Sequence, residues 1–377
     1  MPSIPETLSR KFTNMSFCCA CLVVFIHIYP RFEPGCWQWW IHQFIANGIT
    51  RVAVPYFFLA AGFFLAGHFG EQGWWRREVG KRVFSVLVPC YLTILLWAAL
   101  KIGHALLFPP TAELPFLDLL AQTINWKSTT GLYPFACPEL YSLWFLRTLF
   151  VFVLVSPLVV RPLTTSRKSG LSFLAALFLL HLLLLPYAYI LRHIAPVLSR
   201  WSLFATFPFE RVAGYGSYIF TYGFSMSGFC YFSLGIFLRH HMPARPLTSR
   251  QTCLCGAIGV FLLALSFFGN LHALKPCVYF SILALPFLLA ALWHEMSSRA
   301  LLPPWLLACN FPIYLLHLIF LNLFSRAEAF GCLSLPAYNS LLGYATRGGL
   351  AIGLSIGTAL AVKRLCPRLA NLWLGGR

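Results

Sequence analysis

Long runs of apolar residues, separated by short polar segments, dominate this chain of 377 residues. The runs are continuous and show no strict alternation of apolar and polar positions, which favours helices over the strands of a membrane barrel. Most approach the length of about 20 residues that a helix needs to cross a bilayer. The pattern predicts ten helices, at residues 14–31, 46–67, 83–107, 141–160, 171–190, 216–238, 252–269, 274–293, 304–325 and 343–363.

Composition supports a polytopic membrane protein. Apolar residues make up 59% of the chain and charged residues only 10%, whereas a soluble domain carries about 25% charged residues. This excludes soluble enzymes, secreted disulfide scaffolds and disordered proteins. We therefore predict an all-α fold, a polytopic transmembrane helical bundle of about ten helices in which residues 1–377 form a single domain. The longest connections, about 108–140 and 191–215, are expected to form partly ordered re-entrant caps.

The net charge of +18 is mainly a topology signal. With a cytoplasmic N-terminus, 17 of the 28 Lys and Arg residues fall in cytoplasmic segments, nine on the outer side and two inside spans. The positive-inside rule then places both termini in the cytoplasm. A nucleic-acid-binding function would need the basic residues on one surface, and here they punctuate the loops.

The thirteen cysteines predict neither a disulfide framework nor a metal site. Cys18, Cys19 and Cys21 lie within the first apolar run, and Cys253 and Cys255 open another, with no histidine or carboxylate at the spacing of a co-ligand. We expect these cysteines to pack as small apolar residues.

Charged side chains at membrane depth cost at least about 2.5–3.5 kcal/mol each, so they usually mark function or a partner. His27 lies near the outer end of the first predicted helix and Arg51 near the outer start of the second. Arg147 lies in the outer third of the fourth helix, and His317 lies on the ninth. In the predicted orientation all four fall in the outer half of the membrane, which suggests a shared cavity.

Neighbouring side chains extend this set. Trp144 lies one turn before Arg147, and Asn310 and Tyr314 share a helical face with His317. We predict that Trp144, Asn310, Tyr314 and His317 bind substrate. Other interpretations remain open, because membrane histidines also form hydrogen bonds between helices and arginines also extend to the headgroups.

A basic cluster on the cytoplasmic side follows two tryptophans and precedes Pro89. An anchor on an interfacial helix would explain it, as would a patch that binds the phosphates of a donor molecule. The cluster can serve both as an anchor and as a phosphate-binding patch. The cluster consists of Arg76, Arg77, Lys81 and Arg82.

Six short motifs occur in order along nearly the whole chain: Val23–His27, Pro55–Phe63, Lys81–Pro89, Leu143–Arg147, Tyr231–Gly235 and Phe311–His317. Together they resemble the acyltransferase 3 family of membrane acyltransferases. Two positions depart from the family pattern. Ser16 stands eleven residues before the histidine, where an arginine is usual, and Ala61 stands where serine is usual.

The resemblance implies transfer of an acyl group, commonly acetyl, from a cytoplasmic thioester such as acetyl-CoA to a hydroxyl of an extracytoplasmic glycan or lipid-linked sugar. It implies that His27 is catalytic, as a general base or a transiently acylated carrier. Arg51 and Arg147 become candidates for holding the oxyanion or substrate. The acyl-CoA is a co-substrate, no permanently bound cofactor is expected, and a bacterial cytoplasmic membrane is the expected location.

Two other functions compete with this interpretation. A secondary transporter would also place charged residues near the middle of the membrane, but such proteins usually show internal repeats and broken helix pairs, and no convincing repeat is found in the sequence. A non-catalytic membrane scaffold is the second alternative, and Ser16 keeps it open.

Overall fold

The computed structural model describes residues 5–33, 35–107, 138–198, 225–241, 248–271, 278–296, 298–299 and 302–374. All regular elements in these ranges are helices. They are α1 (Glu6–Ile26), α2 (Trp37–Asn47), α3 (Ala53–Ala66), α4 (Trp74–Arg82), α5 (Val88–Leu107), α6 (Trp144–Thr164), α7 (Arg167–Leu198), α8 (Met226–His241), α9 (Ser249–Leu271), α10 (Val278–Glu295), α11 (Pro304–Leu307), α12 (Asn310–Ala329), α13 (Leu341–Leu365) and α14 (Pro367–Trp373), with 3₁₀ turns at Ile49–Val52 and Pro138–Leu143 and a π turn at Val83–Leu87.

The all-helical class and the membrane character agree with the prediction. Among the described residues, six helical segments are long and apolar enough to cross a membrane, where the sequence pattern predicted about ten across the whole chain. The side on which the termini lie stays a prediction. The six segments are Glu6–Ile26, Trp37–Ala66, Trp74–Gly103, Trp144–Thr164, Ser249–Phe268 and Leu341–Leu365.

Each of the ten predicted runs overlaps a helix, but two of the boundaries differ in ways that bear on function. The first helix ends at Ile26 rather than at residue 31, because the residue before Pro30 is disfavoured in helical conformation. The second run, predicted at 46–67, consists of a 3₁₀ turn and α3, and the unpredicted helix α2 precedes it, separated by a break at Gly48. The long connections at 108–140 and 191–215 lie largely outside the described residues.

The chain forms two compact units. The first contains Met1–Ala60 and Met242–Arg377, and the second contains Ala61–His241. In the first unit, α1 packs against α12 and α13, and α9 packs along α10. In the second unit, α6 packs against α7 and α8.

Small and branched side chains on one face of α1 form the core of the first unit. Ala20 and Val24 are fully buried there, together with Ile313 of α12 and Ala351 of α13. Tyr344 of α13 adds a hydrogen bond from its hydroxyl to the carbonyl oxygen of Phe25, at 3.0 Å. The small residues permit close approach of the helices, and the tyrosine fixes the last turn of α1.

Polar contacts fix the other end of α1. The Lys11 ammonium donates to the carbonyl oxygen of His294 at 3.2 Å and lies 5.3 Å from the ring centre of Trp293. The Asn14 amide donates to the carbonyl oxygen of Arg299 at 2.7 Å. Helix α1 is therefore held near both ends within the first unit.

Gly62 of α3 lies directly against the backbone of Phe232 on α8 in the second unit. A Cβ built at Gly62 would meet the carbonyl oxygen of Phe232 at 2.0 Å and its carbonyl carbon at 2.9 Å. We expect Gly62→Ala to push the helices apart and to lower the free energy of unfolding by about 1–3 kcal/mol, the usual cost of overpacking. The readout is the melting temperature of the detergent-purified protein.

Gly80→Ala is the matched control for this change. Among the described residues, no atom outside the helix's own backbone and the adjacent residues lies within 4 Å of a Cβ built at Gly80, and alanine is the better helix former. This variant is expected to melt at or slightly above the wild-type temperature. Equal melting temperatures for Gly62→Ala and Gly80→Ala would contradict the close helix approach.

Candidate functional site

His27 follows the last residue of α1 and caps the helix. Its backbone N–H donates to the carbonyl oxygen of Val24 at 3.1 Å, and its φ and ψ of −98° and 5° leave the helical region. The side chain is partly buried. Ile28, Tyr29 and Pro30, which follow, form no regular secondary structure. His27 therefore stands at a helix end, with less backbone restraint than a residue within the helix.

His317 of α12 lies against His27. The two imidazole rings are stacked, with centroids 5.2 Å apart and an angle of 24° between their planes. The side chain of His317 is completely buried. The structure thus brings together the two histidines that the sequence placed at one depth, although most of the chain separates them.

Backbone carbonyls determine which tautomer His317 adopts. Its Nδ1 lies 2.8 Å from the carbonyl oxygen of Tyr314 and 3.1 Å from that of Ile313. Two oxygen acceptors at this nitrogen require that it carry the hydrogen. In the neutral ring Nε2 is then unprotonated, and no hydrogen-bond partner for it is found in the described part of the chain.

Arg51 is the third predicted residue near this pair. It lies in the 3₁₀ turn between α2 and α3, where its side chain is exposed. Its positive charge is close enough to act electrostatically on the His27 ring. A cation beside a histidine pair favours negative charge at that place, as an oxyanion requires.

The two other predicted residues of α12 differ in their surroundings. Tyr314 is nearly buried, and its ring centre lies 6.1 Å from that of His317. Asn310 begins the helix, and its side-chain oxygen accepts a hydrogen bond from the backbone N–H of Phe311 at 2.6 Å. Tyr314 therefore belongs to the surroundings of the histidine pair, whereas Asn310 makes a local contact two turns away.

Ser16 occupies the position at which the family pattern has an arginine. Its hydroxyl lies 3.1 Å from the hydroxyl of Tyr56, which in turn donates to the carbonyl oxygen of Phe12 at 2.7 Å. Because Tyr56 uses its hydrogen on the carbonyl, Ser16 must donate to Tyr56. A neutral chain of hydroxyls thus stands where a cation was expected from the family pattern, and Tyr56 was not among the residues predicted from sequence.

Arg147 and Trp144 belong to the second unit, on the first turn of α6. Arg147 is buried, at 7% exposure. Its charge acts electrostatically on the buried thiol of Cys90 on α5. Trp144 is partly buried and its ring packs edge-on against that of Phe145, with centroids 6.5 Å apart. Their proposed contribution to the site stays a prediction.

Three members of the basic cluster on α4 pair with two carboxylates that were not identified from the sequence. Arg77 contacts Glu71 at 2.5 Å, and Lys81 contacts Glu78 at 2.7 Å. Arg82 lies 3.5 Å from Glu78, which is buried. The spacing of three and four residues between Glu78 and these cations is the sequence signal that could have revealed the pairing.

Arg76, the fourth member of the cluster, is exposed. A phosphate bound at this cluster would have to replace the carboxylates that pair with Arg77, Lys81 and Arg82. The Arg77–Glu71 pair is exposed, so exchanging Glu71 for a phosphate costs little free energy. Glu78 is buried, so withdrawing Lys81 and Arg82 from it would leave a buried charge without its partners. An interfacial anchor therefore fits the whole cluster, whereas a phosphate fits Arg76 and Arg77 best.

Further residues near the end of α1 were not identified from the sequence. The His42 ring of α2 packs edge-on against Tyr344 at 5.2 Å and lies 5.8 Å from the ring of Phe32. The backbone N–H of Arg31 donates to the carbonyl oxygen of Tyr338 at 3.0 Å. These contacts join segments that are far apart in sequence, and no local spacing signals them.

Comparison with known proteins gives one family. The model of a family described as an acyltransferase domain matches residues 14–361, nearly the whole chain and all six motifs. No curated protein and no solved structure gives a significant match.

Proposed function

Since the chain belongs to the acyltransferase 3 family, we propose that it moves an acetyl group from cytoplasmic acetyl-CoA to a hydroxyl of an extracytoplasmic glycan or lipid-linked sugar. The single observation that carries the proposal is the contact between His27 and His317, at a ring separation of 5.2 Å beside the charge of Arg51. A partly buried imidazole in contact with a fully buried one, within electrostatic reach of a cation, suits acyl transfer to an alcohol.

The proposed chemistry begins with the alcohol. A sugar hydroxyl is a poor nucleophile at neutral pH, so His27 takes its proton as the oxygen attacks the thioester carbonyl. Arg51 stabilises the negative charge that develops on the carbonyl oxygen. Collapse of the intermediate breaks the carbon–sulfur bond, the CoA thiolate leaves, and the proton passes from His27 to the thiolate or to water.

The other predicted residues receive roles in the same proposal. Arg147 is a second candidate for holding the oxyanion or substrate, and Trp144 and Tyr314 are candidates for contacting the sugar. The basic cluster on α4 would hold the phosphates of the donor. If the phosphates bind on the cytoplasmic side while His27 lies in the outer half, the acyl arm must extend through much of the membrane.

A second route uses the same residue. His27 would first accept the acetyl group from the thioester and then pass it to the hydroxyl, so that the enzyme forms a covalent intermediate. Position 16 carries a serine in place of the usual arginine, and its hydroxyl is hydrogen-bonded to that of Tyr56. We therefore assign the acyl donor no contact at this position.

Sealed inside-out vesicles from cells that express the protein test the proposal. Acetyl-CoA labelled in its acetyl group is added outside, where it meets the cytoplasmic face, and the endogenous glycans and lipid-linked sugars serve as acceptors. We expect label in the vesicle lumen that is released by mild alkali, as an oxygen ester would be. A covalent label no greater than in vesicles lacking the protein would contradict the proposal and favour a transporter or a scaffold.

A further inference from the structure

His317 is held more rigidly than the residue it touches. It lies within α12 with its side chain at 0% exposure, and two carbonyl oxygens of its own helix bind its Nδ1. His27, by contrast, lies beyond the last turn of α1 with non-helical backbone angles. The imidazole of His317 is thus a fixed flat surface against which the ring of His27 rests.

The surroundings of His317 also keep it neutral. A second proton would have to reside on Nε2, which is buried and finds no hydrogen-bond partner among the described residues. A buried N–H without an acceptor is costly, and a buried charge is more so. A proton taken up by the pair therefore resides on His27.

The stacked arrangement suits a neutral His317 that positions the ring of His27. The angle of 24° between the rings is close to parallel, so contact across the faces restricts rotation of His27 about its side-chain bonds. The ring of His317 therefore fixes the plane of the His27 imidazole.

We propose that His317 is the positioning residue for His27: a neutral, rigidly held ring that fixes the plane of the catalytic imidazole. The inference rests on the proposed function, since it assigns a task within the same site. It differs from the sequence prediction that His317 binds substrate, because it requires the flat ring and not the Nε2 nitrogen.

Two substitutions separate the two roles of His317. His317→Phe keeps a flat ring of similar size and removes both nitrogens, whereas His317→Ala removes the ring. For a positioning residue we expect His317→Phe to stay within about tenfold of the wild-type rate, as volume-conserving changes are tolerated best. His317→Ala should lose about 100-fold, the effect of misplacing a catalytic group by about 1 Å.

The rates are measured with full-length protein in membranes, as initial incorporation of labelled acetyl over a range of acetyl-CoA concentrations. The loss in His317→Ala should appear in kcat, with KM for acetyl-CoA changed by less than about threefold, because a group that acts only on the transition state leaves donor binding intact. If His317→Phe is as inactive as His317→Ala, the Nε2 nitrogen is required and the positioning role is overturned.

A double variant tests whether His317 acts through His27. If it does, His27→Ala with His317→Ala should be no slower than His27→Ala alone, since effects within one unit do not add. A further loss in the double variant would overturn the inference while leaving the proposed function in place. Full activity of His27→Ala itself would instead remove the proposed function.

Protein amount and fold are checked in the same preparations. All variants are compared by their elution from a size-exclusion column in detergent, and rates are expressed per folded protein. If His317→Ala does not fold, His317→Leu, which fills the space without a flat ring, takes its place. The expected order remains wild type, then phenylalanine, then the aliphatic variant, and equal rates for phenylalanine and leucine would overturn the inference.

Discussion

Replacing His27 by alanine is expected to lower the initial rate of acyl transfer by about 10²–10⁴-fold, the range that a positioned general base contributes. We expect this loss because His27 stacks on His317 and lies within electrostatic reach of Arg51. The measurement is incorporation of labelled acetyl from acetyl-CoA into endogenous acceptors, in membranes that contain equal amounts of wild-type and variant protein.

His181→Ala is the matched control for this loss. His181 is also a buried histidine, at 6% exposure, but it lies on α7 in the second unit and no role in the reaction is assigned to it. Its variant should transfer acetyl at close to the wild-type rate per folded protein. Equal losses in His27→Ala and His181→Ala would mean that histidine replacement disturbs the fold rather than the chemistry.

Replacing Arg347 is expected to produce the largest loss of stability. Its guanidinium is buried at 2% exposure, pairs with Glu328, and donates to the carbonyl oxygens of Pro336 at 2.7 Å and Gly343 at 3.2 Å. It also lies 3.6 Å from the ring centre of Tyr338. One side chain thus joins α12, the turn after it and α13.

Removal of one partner from a buried ion pair typically costs about 3–5 kcal/mol, because the other charge is left buried. We expect Arg347→Met to cost about 3 kcal/mol, the lower end of that range, since Glu328 keeps 19% exposure. The melting temperature of the purified protein provides the measurement. Combining Arg347→Met with Glu328→Gln should recover part of the loss, because it removes the unpaired charge.

Arg364→Met serves as the control on the same helix. Its side chain is exposed near the end of α13, and surface substitutions usually change stability by no more than about 0.5 kcal/mol. A melting temperature for Arg347→Met as high as that for Arg364→Met would contradict the structural role of the Arg347 ion pair.

The apolar pattern predicted the all-helical class because each run must satisfy its own backbone hydrogen bonds within the bilayer. It predicted the ends of the helices less well. The break at Gly48 and the early end of α1 at Ile26 depend on single residues inside or beside an apolar run, where the pattern carries no period. Residues outside the helical runs, such as those of the α12–α13 turn, carry even less signal.

The candidate site could be predicted in part. The high cost of polar groups in the membrane identified His27 and His317, and depth along the helices placed them at one level. Their stacking, the Nδ1 contacts of His317 and the bond between Ser16 and Tyr56 depend on how helices pack, which one sequence does not specify. The ion pair of Arg347 was likewise missed, because the turn that joins its partners forms only in the folded chain.

Restoration of activity by free imidazole tests whether His27 is the catalytic base. His27→Gly leaves space at the end of α1, and imidazole added to membranes can take the place of the missing ring. We expect a slow rate of acetyl transfer without imidazole and a rate that rises and saturates as imidazole is added, with no such response in His181→Gly. A His27→Gly variant that transfers acetyl at the wild-type rate without imidazole would contradict the claim that His27 is the base.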